Sequence, residues 1–368
     1  MENDFLNVKR LVIKVGSALL VTDGEIREKW LKNLMKDVAE LLKQGVEVVI
    51  VSSGAIALGR GIFGNDKLTI AQRQAAASLG QIQLMAQYRK TAKINGFHVA
   101  QILLSYDNCA NREGYNNLQN VFAELLKRQI VPIINENDSV AIDEIIGDND
   151  RLAARVAQII SADLLILFSD VDGLYDKNPK IHKNAKFIKK VEKITKNIEE
   201  MAGGVSSNVG TGGMITKIIA AKMAALSGCE TVITNGLHDN CLTKLFAQKQ
   251  NYTLFASDKK SLKNRKKWLS GFLNAAGEVV INESAVEAFR KRKVSLLPVG
   301  IVKINGNFNK NDLIFIKDEE GNHIASGIAN YDSKKAQKVL GKNSEQVKQI
   351  LGLSSKTELV HIDNLVIN

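Results

Sequence analysis

The chain has 368 residues, 45% of them hydrophobic, with 27 Gly and only 3 Pro, which excludes a disordered or collagen-like polymer and exceeds what one ordinary core accommodates. Net charge is +11, and residues 255–368 hold 19 of the 50 Lys and Arg but only 12 of the 39 Asp and Glu. A basic tail of this kind suits a polyanionic partner or serves as plain solubility charge.

In chain order, the first two thirds alternate apolar strands with amphipathic helices. Leu11–Val15 reads as a buried strand ended by Gly16. Trp30–Lys43 has helical spacing, and Val46–Val51 is a second strand. Ala55–Gly59 and Gln72–Ile94 are helical, His98–Leu104 is a strand, Leu118–Arg128 a helix and Ile130–Ile134 a strand. Leu152–Ser161 is a helix, Leu164–Phe168 a strand, Met214–Ser227 a helix and Thr231–Thr234 a strand. Continuous apolar strands between helices predict a three-layer αβα sandwich with a mostly parallel sheet, whose ligands bind beyond the carboxyl ends of the strands.

From about Asp258 the pattern changes to a basic run, Lys259–Lys267, and then to short strands with tight turns. Those strands are Glu278–Ile281, Val299–Ile304, Leu313–Lys317, His323–Ile328 and Glu358–Ile362, with one or two small helices. The predicted organisation is a first domain over 1–257, a linker over 258–275 and a small mostly-β domain over 276–368.

No run is long and apolar enough to span a membrane, and the Met-Glu-Asn-Asp start lacks the pattern of a secretory signal. Cys109, Cys229 and Cys241 are odd in number and have no metal-type spacing. Reduced thiols in a cytoplasmic protein are therefore expected.

Polar segments stand where strands end. Lys14 sits within an apolar strand, costly unless it meets an anion or points to water at an edge, and Gly16 allows close backbone approach to a phosphate. Ser52-Ser53-Gly54 opens a helix, as an anion site or an ordinary cap. Asn135-Glu136-Asn137-Asp138 follows a strand, and Gly147-Asp148-Asn149-Asp150 precedes a helix. So many carboxylates together call for a bound ammonium, Lys14 or magnesium. Ser169-Asp170-Val171-Asp172-Gly173 is a turn or a ligand loop. Gly210-Thr211-Gly212-Gly213-Met214-Ile215-Thr216-Lys217 offers backbone donors, a helix N-terminus and a cation, which together suit a triphosphate. It lacks the Walker A pattern. Gly59-Arg60-Gly61-Ile62-Phe63-Gly64 matches GxGxxG, but it follows a helix-like stretch rather than a strand, so a dinucleotide site is not expected there.

Together these segments resemble the amino acid kinase family, through Val12–Ser17, Val51–Ala57, Asn135–Val140, Gly147–Asp150, Asp172–Tyr175 and Gly210–Lys217. The tail resembles a PUA domain, through Gly277–Asn282, Ser295–Ile301 and Gly306–Phe308. PUA domains in other proteins bind structured RNA. The resemblance, with its order of motifs, implies ATP-dependent phosphorylation of the γ-carboxylate of L-glutamate to L-glutamyl 5-phosphate, the first step of proline biosynthesis. Alternatives are a kinase for another small carboxylic or amino acid, and an RNA-binding protein on an inactive kinase-like scaffold.

By the same resemblance Lys14 and Lys217 stabilise the transferring phosphoryl group, and Asp150 holds and orients both lysines. Ser53, Asp138 and Asn149 bind glutamate. Lys14, Ser169, Asp170 and the loop Thr211, Gly212, Gly213, Met214, Ile215, Thr216 and Lys217 bind ATP. Mg2+ dependence, inhibition by proline and homo-oligomers are further implications, with the residues that contact magnesium left open.

Overall fold

The computed structural model describes residues 8–64, 68–105, 112–140, 149–179, 181–202, 213–257, 275–291, 294–310, 312–352, 356–362 and 365–367. Its chain divides into two compact units, a larger one built on an eight-stranded sheet and a smaller one built on a five-stranded sheet.

The strands of the eight-stranded sheet are β1 (Arg10–Val15), β2 (Glu47–Ser52), β3 (Val99–Leu104), β4 (Val131–Glu136), β5 (Leu164–Ser169), β6 (Lys190–Val191), β7 (Glu230–Asn235) and β8 (Tyr252–Phe255). Their spatial order is β6-β8-β7-β5-β1-β2-β4-β3. Pairing is parallel throughout except between β7 and β8. Strand β1 lies centrally, with β2 on one side and β5 on the other, so the chain winds outward from it in both directions. That reversal opens a crevice at the carboxyl ends of β1 and β5, where such sheets hold their ligands.

Besides the short helices Ser17–Leu20 and Lys196–Met201, the described helices are α1 (Glu28–Lys43), α2 (Ala55–Gly59), α3 (Ile70–Ile94), α4 (Arg112–Lys127), α5 (Asn149–Ile160), α6 (Met214–Leu226) and α7 (Cys241–Phe246). Alternation along the strands serves two cores. Leu11, Ile13, Ile50 and Ile166 pack against Leu31, Leu34 and Val38 of α1 and Tyr88 of α3. Helix α5 packs on β1, β2 and β5, and against α6. Both faces are covered, which is why these strands read as unbroken apolar runs.

Glycine explains the rejected GxGxxG stretch. A Cβ on Gly59 would lie 1.9 Å from the Ala76 carbonyl oxygen, and one on Gly80 would lie 1.9 Å from that of Ala55. These two glycines let α2 and α3 cross backbone to backbone, so Gly59 serves packing.

The smaller unit contains β9 (Gly277–Ile281), β10 (Ile301–Gly306), β11 (Leu313–Lys317), β12 (His323–Ile328) and β13 (Leu365–Ile367), in the order β10-β9-β11-β12-β13. Among the described residues three helices accompany them, α8 (Glu283–Lys291), α9 (Ser333–Lys338) and α10 (Ser344–Leu351), more than the one or two expected. The core holds Val279, Ile281, Ile314, Ile316, Val339 and Leu359. Phe289, Phe308 and Tyr331 are buried in it, so they are core residues rather than stacking platforms. Glu358–Ile362, expected as a strand, makes only an isolated bridge between Leu296 and Val360. The edge strand is instead Leu365–Ile367. Cys229 and Cys241 are buried thiols outside any disulfide among the described residues, and Cys109 lies outside those residues. The basic run Lys259–Lys267 lies outside them too. No described helix is long and apolar enough to cross a membrane.

Candidate active site

An open cavity of about 950 Å³ lies at the carboxyl ends of β1, β2 and β5. Lys14, Gly16, Ser53, Asp138, Asn149, Ser169, Asp170 and Lys217 all line it. Eight residues read from separate sequence segments thus meet in one place.

Lys14 is the penultimate residue of β1, on the face opposite Ile13 and therefore toward α5. Its Nζ is 2.7 Å from Asp150 Oδ1. Lys217, in the first turn of α6, approaches the other oxygen, Oδ2, at 3.1 Å. Thr216 Oγ1 is 2.8 Å from the same Oδ2. Asp150 is 2% exposed, and Lys14 and Lys217 are 8% and 4% exposed. Burial alone would raise the Asp150 carboxyl, but Lys14 and Lys217 overcome it and hold the group at about 2. One carboxylate therefore fixes two buried ammonium groups at the rim of a cavity that both line. Lys217 donates one of its three ammonium hydrogens to Asp150 Oδ2, and Lys14 meets Oδ1 as an ion pair. A Cβ at Gly16 would meet nothing closer than the Lys14 Nζ at 3.8 Å, so packing does not demand glycine there.

The second polar group lies where β4 meets α5. Asn135 and Glu136 belong to β4, which runs two residues past the expected end at Ile134. Asn149 and Asp150 are the first residues of α5, where a helix from Leu152 was expected. In that first turn the helix dipole favours the Asp150 charge. Asn149 Nδ2 donates to Ser53 Oγ at 2.8 Å and to Asn135 Oδ1 at 3.2 Å. Its Oδ1 is buried without a hydrogen-bond partner among the described residues, as is Asp138 Oδ1. Burial raises Asp138 to about 6, with the Arg73 charge opposing the rise. Two partnerless acceptors in one cavity are suited to a cationic donor.

Ser169 donates to Asp170 Oδ1 at 3.1 Å at the end of β5. Among the described residues of the glycine-rich loop, Lys217 lines the cavity; Gly210, Thr211 and Gly212 fall outside the described residues. Gly213, Met214, Ile215 and Thr216 form the entry to α6, with the Thr216 hydroxyl occupied by Asp150 and the Gly213 carbonyl. Gly147 and Asp148 also lie outside the described residues. Ser52 is a packing residue, accepting from the Tyr88 hydroxyl and donating to the Ser53 carbonyl. Asp172 accepts from Tyr175 and Asn251, and Gly173 at φ +152° passes so close to Thr253 that this turn serves the fold.

Sequence reasoning missed Arg60 and Arg73, which line the cavity from the α2–α3 region. Arg60 stands inside the rejected GxGxxG stretch and no motif marks Arg73, although two cations beside an apolar helical stretch were a usable signal. As for magnesium, no described group of three or more His, Cys, Asp or Glu side chains could hold a metal ion.

A family model described as the amino acid kinase family matches residues 9–235, and one described as the PUA domain matches residues 277–351. The chain belongs to the amino acid kinase family, as its motifs imply. Its curated relatives include a protein named glutamate 5-kinase from Syntrophotalea carbinolica, 43% identical over 371 residues and covering 100% of both chains. Proteins of that name from Pelagibacter ubique and Pseudomonas putida are 44% and 40% identical. They cover 97% and 100% of this chain and 98% and 100% of their own.

Proposed function

We propose that this chain transfers the γ-phosphoryl group of ATP to the γ-carboxylate of free L-glutamate, giving L-glutamyl 5-phosphate at the entry to proline biosynthesis. The observation that carries this reading is the bridging of Lys14 and Lys217 by Asp150 at the rim of the cavity. Full-length similarity to proteins named glutamate 5-kinase supports the choice of substrate.

The nucleophile is a carboxylate with a solution pKa of about 4.3, so it is ionised at neutral pH and needs no general base. None of the five histidines lines the cavity. A carboxylate oxygen bonds to the γ-phosphorus while the bond to the β–γ bridging oxygen breaks and ADP leaves. The barrier is the meeting of an anion with a polyanion. Lys14 and Lys217 offset that repulsion and stabilise charge on the transferring group, and Asp150 holds both in place. Asp138 and Asn149 receive the α-ammonium group, and the Ser53 hydroxyl faces a substrate oxygen. Ser169, Asp170 and the 211–217 loop hold the nucleotide. The product is an acyl phosphate, which the site must keep from water. Mg2+ would accompany the nucleotide phosphates in this reading and offset part of their charge.

The domain division 1–257, 258–275 and 276–368 belongs to the same proposal, consistent with the spans of the two family matches. RNA binding by the PUA domain, feedback inhibition by proline, assembly of identical chains and a cytoplasmic setting are carried by the family resemblance alone. An inactive scaffold has no use for two buried lysines sharing one carboxylate at a cavity, so the RNA-only reading is not adopted. The test is ADP release dependent on both ATP and glutamate, with the acyl phosphate trapped by hydroxylamine. Absence of glutamate stimulation would overturn the proposal.

A further inference from the structure

The polar floor of the cavity is wired in one direction only. The backbone N–H of Glu136 can only donate, and it donates to Asn135 Oδ1 at 2.9 Å. That contact decides which atom of the Asn135 amide is oxygen. The opposite Nδ2 must then donate, and Gln81 Oε1 accepts it at 2.9 Å. Asn135 Oδ1 also faces Asn149 at 3.2 Å, so the Asn149 atom there is the Nδ2 donor. The second hydrogen of that Nδ2 goes to Ser53 Oγ at 2.8 Å. With both hydrogens committed, Asn149 keeps only its Oδ1 as an acceptor; that atom, like Asp138 Oδ1, is buried without a partner among the described residues, and both residues line the cavity. Ser53, having accepted, keeps its own O–H to donate.

We propose that Gln81 is a positioning residue of the substrate site. By accepting from Asn135 it locks the amide relay so that Asn149 and Asp138 together receive a primary ammonium group. The site thereby selects amino acids with a free α-amino group over deaminated or N-acylated acids of the same length. A deaminated acid offers no N–H to the two acceptors, and an N-acyl group offers one uncharged N–H and added bulk. Gln81 sits half-buried on α3, outside every motif singled out in the sequence. Without its oxygen the buried Asn135 NH2 loses its partner, and turning to find another withdraws Oδ1 from Asn149. This inference rests on the glutamate reading above.

Gln81→Leu removes the acceptor, and Gln81→Glu keeps one. Gln81→Leu is expected to raise the glutamate KM roughly tenfold, the scale of one buried donor left unpaired, with kcat and the ATP KM little changed. Gln81→Glu is expected to restore the glutamate KM to within about threefold of the parent value. The decisive readout is inhibition by glutarate, which lacks the ammonium group. Its inhibition constant is expected to stay constant in Gln81→Leu, so the preference for glutamate over glutarate shrinks. Equal weakening of glutamate and glutarate, failure of Gln81→Glu to recover, or no change in Gln81→Leu would each overturn the proposal. A parent enzyme without glutamate-dependent turnover would instead overturn the functional reading on which it rests.

Discussion

Lys14 and Asp150 meet at 2.7 Å between the central strand and the N-terminal turn of α5, nearly excluded from solvent. Lys217 reaches the other oxygen of the same carboxylate. The shared anion fixes two cations from distant parts of the chain before any ligand arrives, so little reorganisation is left for the reaction to drive.

Removal of either cation is expected to act on the transition state. Lys14→Ala and Lys217→Ala are each expected to lower kcat about a hundredfold or more, with smaller effects on the glutamate KM. Steady-state kinetics in both substrates measure this, and near-normal turnover in both variants would refute their assigned role.

Asp150 also carries a stability signature. Its folded-state value of about 2 lies below the ordinary 3.8, so its stabilisation is present above the unfolded value and is lost as pH falls through the folded one. Urea midpoints are therefore expected to drop between about pH 4 and pH 2, more steeply in the parent than in Asp150→Asn. At neutral pH Asp150→Asn leaves two buried ammonium groups without their counter-ion and is expected to unfold at lower urea.

Asp138 has the opposite sign. Its carboxyl is raised to about 6, so the folded state keeps a proton that the unfolded chain releases near 3.8, and stability falls as pH rises through that window. Asp138→Asn is expected to be the more stable protein above about pH 6, at the cost of substrate binding. The glutamate KM of the parent is expected to rise as pH drops below about 6, where protonation would remove the charge proposed to face the ammonium group. Titration of KM against pH in both proteins checks this, and a parent profile flat from pH 5 to pH 8 would remove Asp138 from the substrate site.

The glycine crossing of α2 and α3 gives a purely structural prediction. Gly59→Ala places a Cβ against the Ala76 carbonyl and is expected to cost about 2 kcal/mol or more, because backbone rather than a side chain must move. Gly61→Ala, where a Cβ meets nothing within 4 Å, is expected to be nearly neutral. Chemical denaturation of the two variants tests the pair.

The layered fold of the first domain was readable because strands covered on both faces are continuous apolar runs between helices. Strands β6 and β8 were not, since two and four residues carry too little pattern. The end of β4 was misread because Asn135 and Glu136 look like loop residues, yet Asn135 satisfies its amide through Gln81, Asn149 and the Glu136 backbone. Lys14 stood out as a charge within an apolar strand, Asp150 within a cluster of carboxylates and Lys217 behind a glycine-rich loop. Arg73 and Gln81 did not, because on a long helix of mixed pattern such residues look like a solvated face. Their significance comes only from what β4 and α5 bring opposite them.

The most direct measurement is ADP release by the purified protein with ATP and a panel of free amino acids, N-acylated amino acids and dicarboxylates, set beside Lys14→Ala and Lys217→Ala. The account predicts stimulation by L-glutamate alone, hydroxylamine-trappable product, and loss of both signals in the lysine variants. Stimulation by another acid in preference to glutamate, or full activity without either lysine, would contradict it.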